Sequence, residues 1–131
     1  MAYTDWGPRE SAEVVVCVHG LTRNGRDFDT LAAALCGHHR IVCPDIVGRG
    51  RSDRLADPAG YNFPQYVADC ITLIARLDVE QVTWVGTSMG GVIGMMIAAL
   101  ADSPIKRMVV NDVGPVIGRA GSARTAAGSP W

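Results

Sequence analysis

Short apolar runs of strand length alternate along this chain with stretches in which apolar residues recur at helical spacing. Glu13-Val14-Val15-Val16-Cys17-Val18, Arg40-Ile41-Val42-Cys43-Pro44, Gln81-Val82-Thr83-Trp84-Val85 and Lys106-Arg107-Met108-Val109-Val110 are β-branched and largely continuous in their hydrophobicity. Runs of that kind read as strands covered on both faces. Ala2-Tyr3-Thr4-Asp5-Trp6 reads as an edge strand. Between them, Asp27 to Leu35 reads as a short helix whose core stripe is Phe28, Leu31, Ala32 and Leu35. Gln65 to Leu77 reads as a longer one, with Val67, Ile71, Ile74 and Leu77 on one side and Pro64 suited to its first turn. Gly91 to Ala101 is apolar nearly all round and reads as a buried helix, with Met95 and Met96 as packing. Strand, helix, strand, helix in this order implies an α/β fold, a mostly parallel sheet with helices on both faces.

Composition narrows the partners rather than the fold. The 131 residues suit one domain, large enough to bury roughly two-thirds of the chain's surface. A net charge of -1 gives no electrostatic case for nucleic acid or an anionic membrane. The start of the chain, with Asp5, Pro8, Arg9 and Glu10, lacks the pattern of a secretory leader, and no apolar run is long enough to span a bilayer. Cys17, Cys36, Cys43 and Cys70 form no C-x-x-C pair. They read as buried free thiols of a cytoplasmic protein, with a metal or redox role as the alternative. No zinc-ligand spacing, dinucleotide fingerprint or P-loop is present, so neither a metal nor an organic cofactor is expected.

The candidate chemistry lies in Gly86-Thr87-Ser88-Met89-Gly90, a G-x-S-x-G pentapeptide with a strand before it and a helix after. A serine on a sharp strand-to-helix turn is presented clear of the backbone, beside a helix N-terminus whose N–H groups favour a developing anion. So tight a turn leaves no room for side chains at Gly86 and Gly90. Two further motifs follow strands: His19-Gly20-Leu21-Thr22 after the first, and Asp45-Ile46-Val47-Gly48-Arg49-Gly50-Arg51-Ser52 after the second.

Together, in this order and in these strand contexts, the three motifs resemble the N-terminal half of an α/β-hydrolase-fold enzyme of the bacterial esterase, lipase and haloperoxidase-like type. Asn111-Asp112-Val113-Gly114-Pro115 also resembles that family, and the likeness runs roughly from Ala2 to Pro115. The resemblance implies an incomplete α/β-hydrolase fold. The strand before His19 would lie beside the strand before Ser88, with the Phe28–Leu35 helix on one face and the other two on the opposite face. It implies Ser88 as nucleophile toward a small acyl substrate, and the N–H groups of Leu21 and Met89 as oxyanion donors. It implies a structural role for His19, whose ring braces the oxyanion loop, with general base as the alternative. Asp45 and Arg49 would fix a loop by hydrogen bonds or touch substrate. Arg23 and Asn24 would line the pocket or form an exposed polar turn. His38 and His39 fall at the other end of the sheet as solvated loop residues.

A serine hydrolase of this fold also needs an acid and then a histidine after the serine. Asp112 is a candidate acid, but no histidine follows Ser88. The segment 116–131 has two arginines, no acid and no apolar periodicity, the composition of a disordered tail, either frameshifted or truncated sequence or a flexible end. Two functions therefore stand side by side: a serine hydrolase of ester or related acyl substrates lacking its histidine, and a non-catalytic remnant or binding module of the same fold. With later strands missing, an open sheet edge and a bare apolar face would favour self-association.

Overall fold

A computed structural model describes residues 1–113; the expected tail at 116–131 lies outside the described residues. Its strands are β1 (Tyr3–Trp6), β2 (Val14–Val18), β3 (Arg40–Pro44), β4 (Val82–Thr87) and β5 (Ile105–Asn111), and its helices α1 (Asp29–Leu35), α2 (Phe63–Arg76) and α3 (Met89–Ala98). The strands form one sheet in the order β1-β3-β2-β4-β5. β1 runs antiparallel to β3 at one edge; the other pairings are parallel. The chain steps from β2 to β3 on one side and then returns to place β4 on the other side of β2. Such a reversal opens a crevice at the strands' carboxyl ends.

Alternation along the strands sorts the core into two layers. Val14, Val16, Val18, Val42, Val82 and Trp84 point to the face covered by α2 and α3, where they meet Tyr66, Cys70, Leu73, Ile74, Ile93 and Ile97. Val15, Cys17, Ile41 and Cys43 point to the opposite face, where α1 supplies Ala32 and the turn before it supplies Phe28. Right-handed crossovers require this split of one helix against two. β1 is fastened by charge as well as by its ladder. Arg40 Nε and Nη2 donate to the two carboxylate oxygens of Asp5 at 3.0 and 2.8 Å, with both side chains nearly buried. α2 begins under an Asn62 cap, whose side-chain oxygen accepts the Gln65 N–H at 2.9 Å, and Pro64 occupies its first turn.

Several expectations shift. The first helical stretch divides into a 3-10 turn, Gly25–Phe28, and α1 proper. Its contact stripe is narrow, Phe28 and Ala32 with Leu35 half-buried, and Leu31, about 100° round the helix from Ala32, is exposed. α2 starts two residues earlier than its periodicity indicated. Its buried stripe is Tyr66, Cys70, Leu73, Ile74 and Leu77, so Val67 and Ile71 flank the stripe instead of forming it. β4 runs on through Gly86 and Thr87, and α3 starts at Met89, because the turn between them is a single residue. α3 ends at Ala98, and Met96 is exposed because the helix packs on the sheet and α2 through its other side. Cys36 is only half-buried, lying at the end of α1 and not in a strand. His39 is half-buried against the sheet, while His38 is exposed as expected.

Among the described residues no helix beyond α1 covers the same face of the sheet. Val85 is half-buried, and Val109 on β5 is 56% exposed. Among the described residues β5 is an edge, paired on one side with β4.

Candidate active site

The three motifs meet at the carboxyl ends of β2, β3 and β4, and the end of β5 joins them. Ser88 is the one residue between β4 and α3, and its backbone is held at φ 50°, ψ -114°. A non-glycine residue with positive φ sits in a sparsely populated conformation that costs of order 1–3 kcal/mol and needs its surroundings to enforce it. They do so here through both backbone groups. The Ser88 N–H donates to the Asn111 carbonyl of β5 at 2.9 Å, and the Ser88 carbonyl accepts from the N–H groups of Gly91 and Val92 at 2.9 and 3.1 Å.

The neighbouring glycines are there for closeness of approach. A Cβ on Gly90 would overlap the Val18 carbonyl of β2, and one on Gly86 would overlap the backbone of Gly90 and Gly91. Helix α3 therefore drops directly onto the end of the sheet. Trp84 Nε1, buried under its first turn, donates to the Gly90 carbonyl at 3.0 Å. Met89 opens α3, so its N–H has no carbonyl one turn back to pair with, and the helix N-terminus turns a partial positive charge toward Ser88.

Leu21 supplies the second backbone N–H, and His19 fixes it. The His19 ring is buried. Its Nδ1 lies 2.7 Å from the Gly20 carbonyl, and its Nε2 accepts the Ile46 N–H at 3.0 Å. Accepting at Nε2 requires the proton to sit on Nδ1, so Nδ1 donates to Gly20. The Gly20 carbonyl and the Leu21 N–H belong to one peptide unit; a hydrogen bond on its oxygen both orients that unit and strengthens its N–H as a donor. The Arg23 N–H closes a turn onto the same carbonyl at 3.1 Å. Burial holds the His19 imidazole below its ordinary pKa, so the ring stays neutral. With both nitrogens engaged it braces the loop between β2 and β3 and has no lone pair to offer Ser88.

The Asp45 loop is built in the same way. One carboxylate oxygen accepts the Gly25 N–H at 2.8 Å and the other the Arg51 N–H at 2.9 Å. Gly50, at φ 53°, lies so close that a Cβ would overlap the Asp45 carboxylate, and Gly48 turns the chain at φ 83° beside Tyr61. Both oxygens of Asp45 are thus spent on the loop. Arg23 pairs with Asp27 in the open, and Asn24 caps the following turn, so these two form an exposed polar turn. Asp112 follows Asn111 at φ 61° and is exposed. His38 and His39 precede β3 at the far end of the sheet, so none of the chain's three histidines is presented to Ser88 or Asp112. A cleft of about 720 Å³ lies at that far end too, among Glu13, Gln81 and Lys106. Two contributors escaped the sequence pattern. The Asn111 carbonyl is a backbone group with no side-chain signature. Tyr66 was traceable only through its place four residues before Cys70.

The alpha/beta hydrolase fold family matches residues 13–128. The chain belongs to that family. The match extends past Pro115, where the motifs give out. A 3-hydroxybutyrate-oligomer hydrolase of Cupriavidus necator is 58% identical over 127 residues, which is 97% of this chain and 43% of that protein. A hydrolase from Rickettsia typhi superposes with a TM-score of 0.90 at 36% identity, over 95% of this chain and 44% of the other. An alpha/beta hydrolase from Novosphingobium aromaticivorans gives 0.86 at 39%, with the same coverage. This α/β-hydrolase chain thus spans less than half the length of these relatives. Among its described residues no helix is long and apolar enough to cross a membrane.

Proposed function

We propose that this chain carries the nucleophile and oxyanion-binding part of a serine hydrolase of carboxylic esters, with short 3-hydroxybutyrate oligomers as the substrate class. The observation that carries the reading is the strained φ of Ser88 between a strand and a helix N-terminus, with Leu21 braced by His19 on the adjacent strand. The substrate class is taken from the Cupriavidus necator relative. In the reaction the Ser88 hydroxyl adds to the ester carbonyl carbon and gives its proton to a base. The carbonyl oxygen becomes an anion between the Leu21 and Met89 N–H groups, each worth roughly 3 kcal/mol in the transition state. Collapse expels the alcohol, which takes up the proton, and water then releases the acid from Ser88. His19 is committed to its loop, so the base is an imidazole other than the three histidines of these 131 residues.

The test is chemical rescue. The purified chain is assayed on p-nitrophenyl butyrate and on the 3-hydroxybutyrate dimer, with and without added imidazole, beside Ser88→Ala. Turnover is expected to be near background without imidazole, because loss of a triad member removes several orders of magnitude. It should rise with imidazole in the wild-type chain above the Ser88→Ala background. Equal rates in both chains at every imidazole concentration would overturn the assignment of Ser88. Strong Ser88-dependent turnover without imidazole would return His19 to the role of base.

A further inference from the structure

Arg49 lies in the Asp45 loop, and its side chain bonds both within that loop and to residues of three other segments. Its Nε donates to the Leu21 carbonyl at 2.9 Å. Its Nη1 donates to the Val47 carbonyl at 2.9 Å and to the Tyr66 hydroxyl at 3.2 Å. Its Nη2 lies 3.9 Å from Met89 Sδ, and the guanidinium carbon stands 5.2 Å from the centre of the Tyr66 ring. Val47 and Tyr66 anchor the guanidinium plane on β3's loop and on α2. The remaining nitrogens reach the Leu21 carbonyl and the Met89 sulfur, and these are the two residues whose N–H groups are proposed above as oxyanion donors.

The geometry points to Arg49 as the positioning residue that holds Leu21 and Met89 at a fixed separation, so that two N–H groups from different loops converge on one oxygen. This rests on the proposed reading of Ser88. His19 fixes the peptide unit on the amino side of Leu21 through the Gly20 carbonyl, and Arg49 fixes the unit on its carboxyl side through the Leu21 carbonyl. With both planes held, the φ and ψ of Leu21 have no freedom left, and its N–H direction is set before any ligand arrives. Preorganised donors are effective because nothing has to reorient as charge develops. A planar guanidinium suits this role, because its donors diverge at fixed angles, which the single ammonium of lysine does not reproduce.

n-Butylboronic acid is a suitable probe, because it needs no leaving group. The Ser88 oxygen bonds to trigonal boron, the serine proton passes to solvent, and the tetrahedral boronate that results places a negative oxygen where the oxyanion would be. Boron NMR reads the trigonal-to-tetrahedral conversion in the full chain, in Ser88→Ala, in Arg49→Met and in Arg49→Lys. Amide hydrogen exchange at Leu21 and Thr22, compared with β2 and α2, separates positioning from general loosening. Both Arg49 variants are expected to bind the boronate at least about tenfold more weakly, with faster exchange confined to Leu21 and Thr22. Undiminished boronate affinity in Arg49→Met overturns the assignment, as does a loss matched by faster exchange throughout β2 and α2. Full affinity in Arg49→Lys shows that charge alone suffices and overturns the fork argument. If wild type and Ser88→Ala give the same boron spectrum, the reading of Ser88 fails and takes this one with it.

Discussion

Replacing Ser88 by glycine should stabilise the chain, against the ordinary behaviour of that substitution. At an unstrained position glycine is worse than alanine by roughly 0.5–1 kcal/mol, because the unfolded chain gains freedom. Ser88 is held at φ 50°, ψ -114° by the Asn111 carbonyl and by the first turn of α3. A side chain there costs of order 1–3 kcal/mol, which glycine does not incur and alanine incurs in full. Subtracting the entropy loss leaves Ser88→Gly more stable than Ser88→Ala by about 1 kcal/mol. Trp84, fully buried beneath α3, provides the fluorescence reporter for urea unfolding. With a slope of about 1.5 kcal/mol per molar, the two midpoints should differ by roughly 0.7 M with equal slopes. A lower midpoint for Ser88→Gly than for Ser88→Ala would mean that the positive φ carries no strain, and the argument from backbone geometry to an activated serine would lose its footing.

Three further outcomes follow from the same contacts. Gly90→Val forces a branched side chain against the Val18 carbonyl, a backbone atom fixed in the sheet, so it should cost about 3 kcal/mol or more where Ser88→Ala costs little; equal unfolding midpoints would show that α3 stands clear of β2. Burial lowers the His19 pKa below its unfolded value of about 6.5, so the unfolded chain binds the proton more readily. Stability should therefore be lost as pH falls below about 6.5, by at most about 1.4 kcal/mol per pH unit from this group, and urea midpoints that do not change between pH 7.5 and 5.5 would refute it. The open edge of β5 and the 56% exposed Val109 should drive self-association at micromolar concentration, reduced by Val109→Lys; a sharp wild-type monomer peak in light scattering coupled to size exclusion would count against it.

Strands, helix faces and the Ser88 turn were legible because each rests on a local rule. A β-branched run such as Val14–Val18 admits one reading in an α/β protein, and the turn's glycines mark it in sequence. Phase was harder. Sequence periodicity centred α2 on Val67 and Ile71, one position away from the buried line through Tyr66 and Cys70, because both lines are apolar and only the neighbouring α3 decides between them. Leu31 and Met96 were misplaced for a related reason: an apolar residue at helical spacing is buried only if something lies opposite, and nothing in the sequence says how wide the contact is. The roles of His19 and Asp45 were legible as loop bracing, but not their partners. The Gly20 carbonyl, the Ile46 N–H and the Gly25 N–H are backbone groups, identical in every sequence until the fold brings them near.

The two residues proposed as oxyanion donors occupy equivalent places just beyond neighbouring strands. Val18 of β2 pairs with Gly86 of β4. Leu21 and Met89 each follow three residues later, so the register of the central sheet sets how far apart their N–H groups begin. Gly90 then lets α3 close onto the Val18 carbonyl, which brings one donor toward the other. This part of the site is therefore rigid for the same reason that the core is rigid. The hold on Ser88 is different. Its N–H is tied to Asn111 at the end of β5, an edge strand with one partner and an exposed valine. Of the hydrogen bonds that hold Ser88, those from Gly91 and Val92 belong to α3 and the one to Asn111 belongs to β5, whereas Leu21 and Met89 follow the central pair β2 and β4. Among the described residues β5 pairs on one side only, so a strand added at that edge would stiffen the Asn111 hold on Ser88 and leave the β2–β4 register unchanged.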